Sequence, residues 1–159
     1  MIVVVVRHGA AENQEPRPLS AAGRRDVERL GRVLAALEVR PASFEHSPKL
    51  RARETAEILA RALGPGAQAL VLRDELGGDE DPQPLVDDLE RRAKARGPDC
   101  LLAGHLPQVE RLLALLLAGT EARPCVAFAP ATAAVLDRSA AGWRLLALLP
   151  PAALQAAEP

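Results

Sequence analysis

The sequence predicts an α/β protein: a three-layer α/β/α sandwich with a mainly parallel sheet. Three observations predict it. Short apolar runs alternate with amphipathic helical segments as far as Gly119, the pattern of βαβ units. The first run, Ile2 to Val6, is β-branched with no polar face, as expected for a strand buried on both sides. The last apolar runs follow one another with no helix between them, so they pair antiparallel at one side of the sheet.

The elements follow in order. The strand at Ile2 to Val6 stops at Arg7-His8-Gly9. A polar loop ends in Arg17-Pro18-Leu19-Ser20, where Ser20 is a good N-cap. Val27, Leu30, Val33, Leu34 and Leu37 then recur at helical spacing. Ala42 to His46 is a second strand. Ser47-Pro48 predicts the next helix start, with Ser as N-cap and Pro at the first helical position. Its apolar stripe is Ala52, Thr55, Ala56, Leu59 and Leu63, and Gly64-Pro65-Gly66 stops it. Ala69 to Leu72 is a third strand and Arg73 to Pro84 an acidic loop. A helix over Leu85 to Ala95, a strand over Cys100 to Ala103 and a helix starting at Pro107 follow, the last with a core face of Val109, Leu112, Leu113 and Leu116. Val126 to Phe128, Ala131 to Leu136 and Trp143 to Leu149 read as late strands. The length suits one domain over residues 1–150, with residues 151–159 a loosely held Ala-rich tail.

Composition excludes several classes of function. Of 159 residues, 48% are hydrophobic, so a folded core is expected. The formal net charge of −1 argues against generic binding of nucleic acid or a membrane surface. The aromatics are Phe44, Phe128 and Trp143 alone, too few for base-stacking platforms. All but Lys49 and Lys94 of the 20 basic residues are arginine. Coding bias accounts for most of them, although arginine also suits bidentate clamping of phosphate. Cys100 and Cys125 are too few for a disulfide framework or a Cys-based metal site. No signal peptide or apolar span of membrane length is present. A cytoplasmic monomer is the expectation.

The chemistry sits at strand ends, where open α/β sheets bind ligands. The first strand ends in Arg7-His8-Gly9, the second leads into Ser47-Pro48-Lys49-Leu50-Arg51, and the fourth ends in Gly104-His105. If these strands are parallel, two histidines and two arginines meet on one edge beside helix amino termini. That is a pocket for a dianion, most plausibly a phosphoryl group. Neutral imidazole can attack phosphorus, and arginines can hold its equatorial oxygens. No zinc spacing or Gly-rich nucleotide loop is present, so neither metal nor nucleotide cofactor is needed.

These three motifs resemble the histidine phosphatase superfamily, also called phosphoglycerate-mutase-like. Arg7-His8-Gly9 is similar to its signature, Ser47 to Ala56 to its second motif S-P-x-x-R-A-x-[QE]-T-A, and Gly104-His105 to its third. The resemblance runs from Val3 to about Leu117. Short length, Arg17-Pro18-Leu19-Ser20, His105-Leu106-Pro107 and the lack of a helical cap between Leu72 and Leu85 resemble the SixA-type phosphohistidine phosphatases.

The resemblance implies His8 as phospho-accepting nucleophile, Arg7 and Arg51 as phosphate clamps, and His105 as the second histidine on the phosphoryl group. Arg17 is a candidate substrate contact. Glu75 is the nearest match to the family's general acid, with Asp79, Glu80 and Asp81 as competitors. His46 is a neighbour of the pocket, Arg53 a solvated helix residue and Glu54 its surface partner. The implied substrate is a phosphorylated protein, such as a histidine-phosphotransfer domain. A small phosphate ester is the alternative, and a phosphate-binding module without catalysis a third.

Overall fold

The computed structural model describes residues 1–64, 70–119 and 126–156. Strands β1 (Ile2–Arg7), β2 (Ser43–His46), β3 (Leu70–Leu72), β4 (Cys100–Gly104), β5 (Ala133–Ser139) and β6 (Gly142–Leu149) form one sheet. Its order is β3-β2-β4-β1-β5-β6. β3, β2, β4 and β1 run parallel, whereas β5 and β6 pair antiparallel at one side. Helices α1 (Ala21–Ala36), α2 (Leu50–Leu63) and α5 (Pro151–Ala156) pack on one face of the sheet, and α3 (Gln83–Lys94) and α4 (Gln108–Ala118) on the other. The sandwich is the one the alternation of elements predicts.

The run of valines in β1 explains why this strand is central. Val4 and Val6 face the core beneath α1 and α2, Val3 and Val5 face the core beneath α3 and α4, and all four are fully buried. A strand flanked by two helical layers has no solvated face to accommodate a polar residue. In α1, Ser20 caps as expected, accepting from the Gly23 N–H at 3.0 Å. Gly23 is needed for a second reason: a Cβ there would meet the Ala10 carbonyl oxygen at 2.0 Å. The loop after His8 therefore lies directly on the helix backbone.

Several expectations are corrected. Leu37 is exposed, because α1 ends at Ala36 and Leu37 lies at its C-terminal cap. Ser47 does not cap α2; the helix begins at Leu50 after Lys49, and the Ser47 hydroxyl turns to His105 instead. Val126 to Phe128 is not a strand. Its backbone bonds side chains in place of a ladder: the Phe128 carbonyl accepts from Arg7 Nη1 at 2.6 Å, and the Phe128 N–H points at Glu110 Oε1 at 3.5 Å. The acidic loop holds a 3-10 turn over Asp74–Leu76. Where a loose tail was expected, residues 151–156 form α5, with Leu154 buried in the core near α1 and Gln155 bonded to Asp26 at 3.1 Å. Residues 157–159, Cys125 and most of the Gly64-Pro65-Gly66 stop lie outside the described residues. Among the described residues, no helix is long and apolar enough to cross a membrane.

Candidate active site

The parallel register brings the three motifs together. Arg7 lies opposite Gly104 and His46 opposite Ala103. The ladder continues one residue past the strands: the His8 N–H donates to the Gly104 carbonyl at 3.0 Å, and the Ser47 N–H to the Ala103 carbonyl at 3.2 Å. His8, Ser47 and His105 therefore stand side by side at one sheet edge. The antiparallel strand β5 closes the other flank, where the Arg7 N–H donates to the Thr132 carbonyl at 3.1 Å.

His8 is held in one tautomer. Its Nδ1 lies 2.7 Å from the Gly9 carbonyl. A carbonyl can only accept, so Nδ1 carries the proton and Nε2 keeps its lone pair. The Arg51 Nε–H points at that lone pair from 3.2 Å. Burial lowers the His8 pKa from 6.5 to about 4; the Gly9 bond opposes this, while Arg51, Arg7 and Arg17 add to it. The imidazole is neutral at pH 7, with its Nε2 lone pair directed at Arg51.

Thr55 ties this arrangement to α2. Its hydroxyl donates to the Arg51 carbonyl at 2.7 Å and accepts from the Gly9 N–H at 3.1 Å. One side chain thus fixes both the backbone after His8 and the helix turn that carries Arg51. The sequence placed Thr55 in an apolar stripe. It is fully buried as that stripe requires, but a hydroxyl in such a stripe was a signal that a partner existed.

His105 is buried beside His8, with ring centroids 4.7 Å apart. Its Nε2 is 2.6 Å from the Ser47 hydroxyl, and its Nδ1 has no hydrogen-bond partner among the described residues. Burial lowers its pKa to about 3, helped by His8, Arg51, Lys49 and Arg7. It too is neutral before an anion arrives. The Arg7 pKa is lowered by burial against the pull of Glu110. Arg51 is lowered by burial and by Arg17, against Glu15. None of the described carboxylates pairs with either guanidinium.

The remaining candidates divide. Arg17 adopts a left-handed φ of 56°, uncommon outside glycine. It lines an open cavity of about 530 Å³ with Glu15, Lys49 and Arg51. Its charge reaches His8 and Arg51. Glu75 is instead held by Arg73, which donates to its two carboxylate oxygens at 3.1 and 3.3 Å. Its own backbone N–H lowers its pKa first, burial opposes this, and Arg73 lowers it further. A general acid needs the opposite shift. Glu80 sits by Gly77, and the three acidic neighbours Asp79, Glu80 and Asp81 are exposed. His46 is buried with its Nδ1 on the Ser47 carbonyl at 2.8 Å, a packing role. Arg53 pairs with Glu57 at 2.7 Å, while Glu54 pairs with Arg24 and accepts from the Leu19 N–H at 2.6 Å. Glu54 therefore anchors the loop bearing Arg17 rather than serving Arg53.

Residues 3–77 match the model of the Histidine phosphatase superfamily (branch 1). No curated protein matches the sequence. Among solved structures, the fold is similar to that of the protein histidine phosphatase SixA complexed with tungstate, with 23% identity, a TM-score of 0.87, and 97% of this chain and 99% of that chain covered. It is also similar to the α-ribazole phosphatase from Shigella flexneri, with 16% identity, a TM-score of 0.73 and coverages of 95% and 97%. A mycobacterial glucosyl-3-phosphoglycerate phosphatase gives 19% identity, a TM-score of 0.69 and coverages of 94% and 98%. Family match and fold together support a phosphatase; identities this low do not choose among substrates.

Proposed function

We propose that this chain, whose residues 3–77 match the histidine phosphatase superfamily model, hydrolyses phosphoryl groups through a phosphohistidine formed on His8, and that its substrate is phosphohistidine on a protein. The observation that carries the first part is the His8 tautomer. The Gly9 carbonyl holds the Nδ1 proton, so the neutral Nε2 is free to attack.

The steps follow from the site. The phosphoryl dianion enters between Arg7 and Arg51, neither of which forms an ion pair with a carboxylate among the described residues. The Arg51 Nε–H leaves the His8 lone pair and turns to a phosphoryl oxygen. A P–N bond forms to His8 Nε2 as the bond to the leaving group breaks. The two guanidiniums take up the charge on the equatorial oxygens, so this part of the chemistry asks for no metal. The dianion also favours the protonated form of His105, making it a further donor. Water then attacks phosphorus from the side the leaving group vacated. Inorganic phosphate departs and His8 returns to its neutral form.

The choice of substrate rests on Glu75. Its pairing with Arg73 leaves the nearest expected acid a poor proton donor. An alkoxide leaving group needs such an acid. A phosphorylated imidazole can take a proton from solvent on its other ring nitrogen before transfer, and from that form it leaves as neutral imidazole. A small-molecule phosphomonoester is the second reading, favoured by the likeness in fold to phosphatases named for small esters.

His8→Ala should lower turnover of a phosphorylated histidine-phosphotransfer protein by about 1,000-fold or more, while inorganic phosphate still binds. Turnover at the wild-type rate would remove His8 from the mechanism. Assayed side by side, faster hydrolysis of phosphomonoesters than of the phosphohistidine protein would transfer the assignment to the second reading.

A further inference from the structure

Four cations converge at the mouth of the site, and a phosphoryl dianion accounts for only two of them. Arg7 and Arg51 stand nearest His8 and match the dianion. Arg17 and Lys49 remain. Arg17 uses its Nε on the uncharged Glu12 carbonyl at 3.3 Å. The Lys49 ammonium has no hydrogen-bond or ion-pair partner among the described residues, although arginines elsewhere in the chain find carboxylates.

The position of Lys49 is defined from two sides. Its backbone precedes the first turn of α2, with its N–H directed at the Ser47 hydroxyl at 3.3 Å. Its Nζ comes close to Gly78: a Cβ added there would sit 3.6 Å from Nζ and 3.3 Å from the His105 Cβ. Gly78 has a φ of +118°, a backbone shape that glycine adopts freely. The missing side chain leaves Lys49 an approach over His105. Lys49, Arg17 and Arg51 line the same cavity of about 530 Å³, with Pro16, Pro48 and Leu50 as its apolar walls. Glu15 is the one carboxylate lining it.

We infer that Lys49 is a specificity-determining residue that recognises a carboxylate side chain flanking the phosphorylated residue of a protein substrate. The charges support this stoichiometry. Among the charges lining the cavity itself, with Arg51 matched by the phosphoryl group, Arg17 and Lys49 less Glu15 leave one positive charge. One carboxylate balances it, whereas a second phosphate dianion would overfill it. The open, partly apolar cavity also admits an extended peptide beside the phospho-residue. This inference rests on the phosphoprotein reading above but not on phosphohistidine in particular.

The test compares two phosphohistidine peptides that differ only in flanking residues, Asp and Glu in one, Asn and Gln in the other. The wild-type protein should favour the acidic peptide by about two- to five-fold in kcat/KM, the scale of one partly screened charge pair. The difference should lie in KM and shrink as salt is raised. Lys49→Met should bring the ratio of the two peptides close to one. Lys49→Glu should invert it, and Lys49→Arg should restore it. The ratio is read within each variant, so a change in its overall rate does not disturb it. A wild-type ratio of one, or a ratio unmoved in Lys49→Glu, overturns the inference. If neither phosphohistidine peptide turns over, the same flanks on phosphoserine peptides separate the two claims. A Lys49-dependent acidic preference there keeps this inference and rejects phosphohistidine as the substrate, and its absence rejects both.

Discussion

Two arginine clusters of this protein lie on the same sheet and differ in the supply of carboxylates. Near β2 and α3, Arg73 and Arg92 share Glu45 and Asp88, and Arg73 also holds Glu75. Burial disfavours the Arg73 cation, but Glu75, Asp88 and Glu45 outweigh it, and its pKa is raised. The bond to Glu45 raises Arg92 likewise. At the strand ends, Arg7 and Arg51 form no ion pair with a described carboxylate, and burial lowers both pKa values against the pull of Glu110 and Glu15. The first cluster is electrostatically complete and holds the fold. The second lacks such partners, which suits it to the anion proposed above. Arginine is used for both because its planar fork serves either a carboxylate or a phosphoryl group.

The difference predicts that removing an arginine has opposite effects in the two places. Arg51→Ala should lower kcat/KM by about 100- to 1,000-fold, the usual cost of losing one donor to transition-state charge. Thermal stability should hold or rise slightly, since a desolvated cation without a partner is removed. The same variant carries a pH signature. His8 has a folded pKa of about 4 against an ordinary 6.5, so the unfolded chain binds the proton more readily. This site's contribution to stability is fully present above pH 6.5 and is lost as pH falls through about 4. Arg51 is one cause of the depression, so an NMR titration of the His8 ring should move its midpoint upward in Arg51→Ala. A midpoint left at its wild-type value would break the electrostatic link between the two residues.

In the complete cluster, Arg73→Ala should leave Glu45, only 1% exposed, with one cation fewer. Removing one partner of a buried pair costs about 3 kcal/mol. Chemical denaturation should show that loss, while inorganic phosphate continues to stabilise the variant as it does the wild type. If Arg73→Ala lost phosphate binding and kept its stability, the two clusters would have exchanged roles.

Much of this contrast was legible in the sequence, but not all of it. Alternating elements and the valine run placed β1 at the centre, and the Arg-His-Gly and Gly-His strand ends marked the residues that the parallel register brings together. Those signals are local: a strand that stops at a charged residue needs no knowledge of the rest of the chain. The pairing of arginines was not legible, because Arg73 meets Glu45 and Asp88 across 28 and 15 residues. Only the register of β2 beside β3 and the docking of α3 decide it. The role of Ser47 was misassigned for the same reason, since its hydroxyl meets a distant imidazole at 2.6 Å and the only local N–H it takes, that of Lys49 at 3.3 Å, precedes the helix. The segment at Phe128 was apolar enough to suggest a strand, yet its carbonyl serves Arg7 from 121 residues away.

Glu75 is where the two clusters come closest to overlapping in role, and it gives the smallest expected effect. The family resemblance assigns it to catalysis; its ion pair assigns it to the structural cluster. As an ion pair that is about one-third exposed on the carboxylate side, it should contribute roughly 0.5–1 kcal/mol. Glu75→Gln should cost no more than that in stability. Hydrolysis of a phosphohistidine protein should change by less than about three-fold, because the phosphorylated ring can take its proton from solvent before transfer and Arg73 already opposes protonation of Glu75. An alkyl phosphate is the more demanding probe. If Glu75→Gln lowered its hydrolysis by about 100-fold, within the usual range for a general acid, Glu75 would have to leave Arg73 during turnover, and the boundary between the two clusters would be one that the substrate redraws.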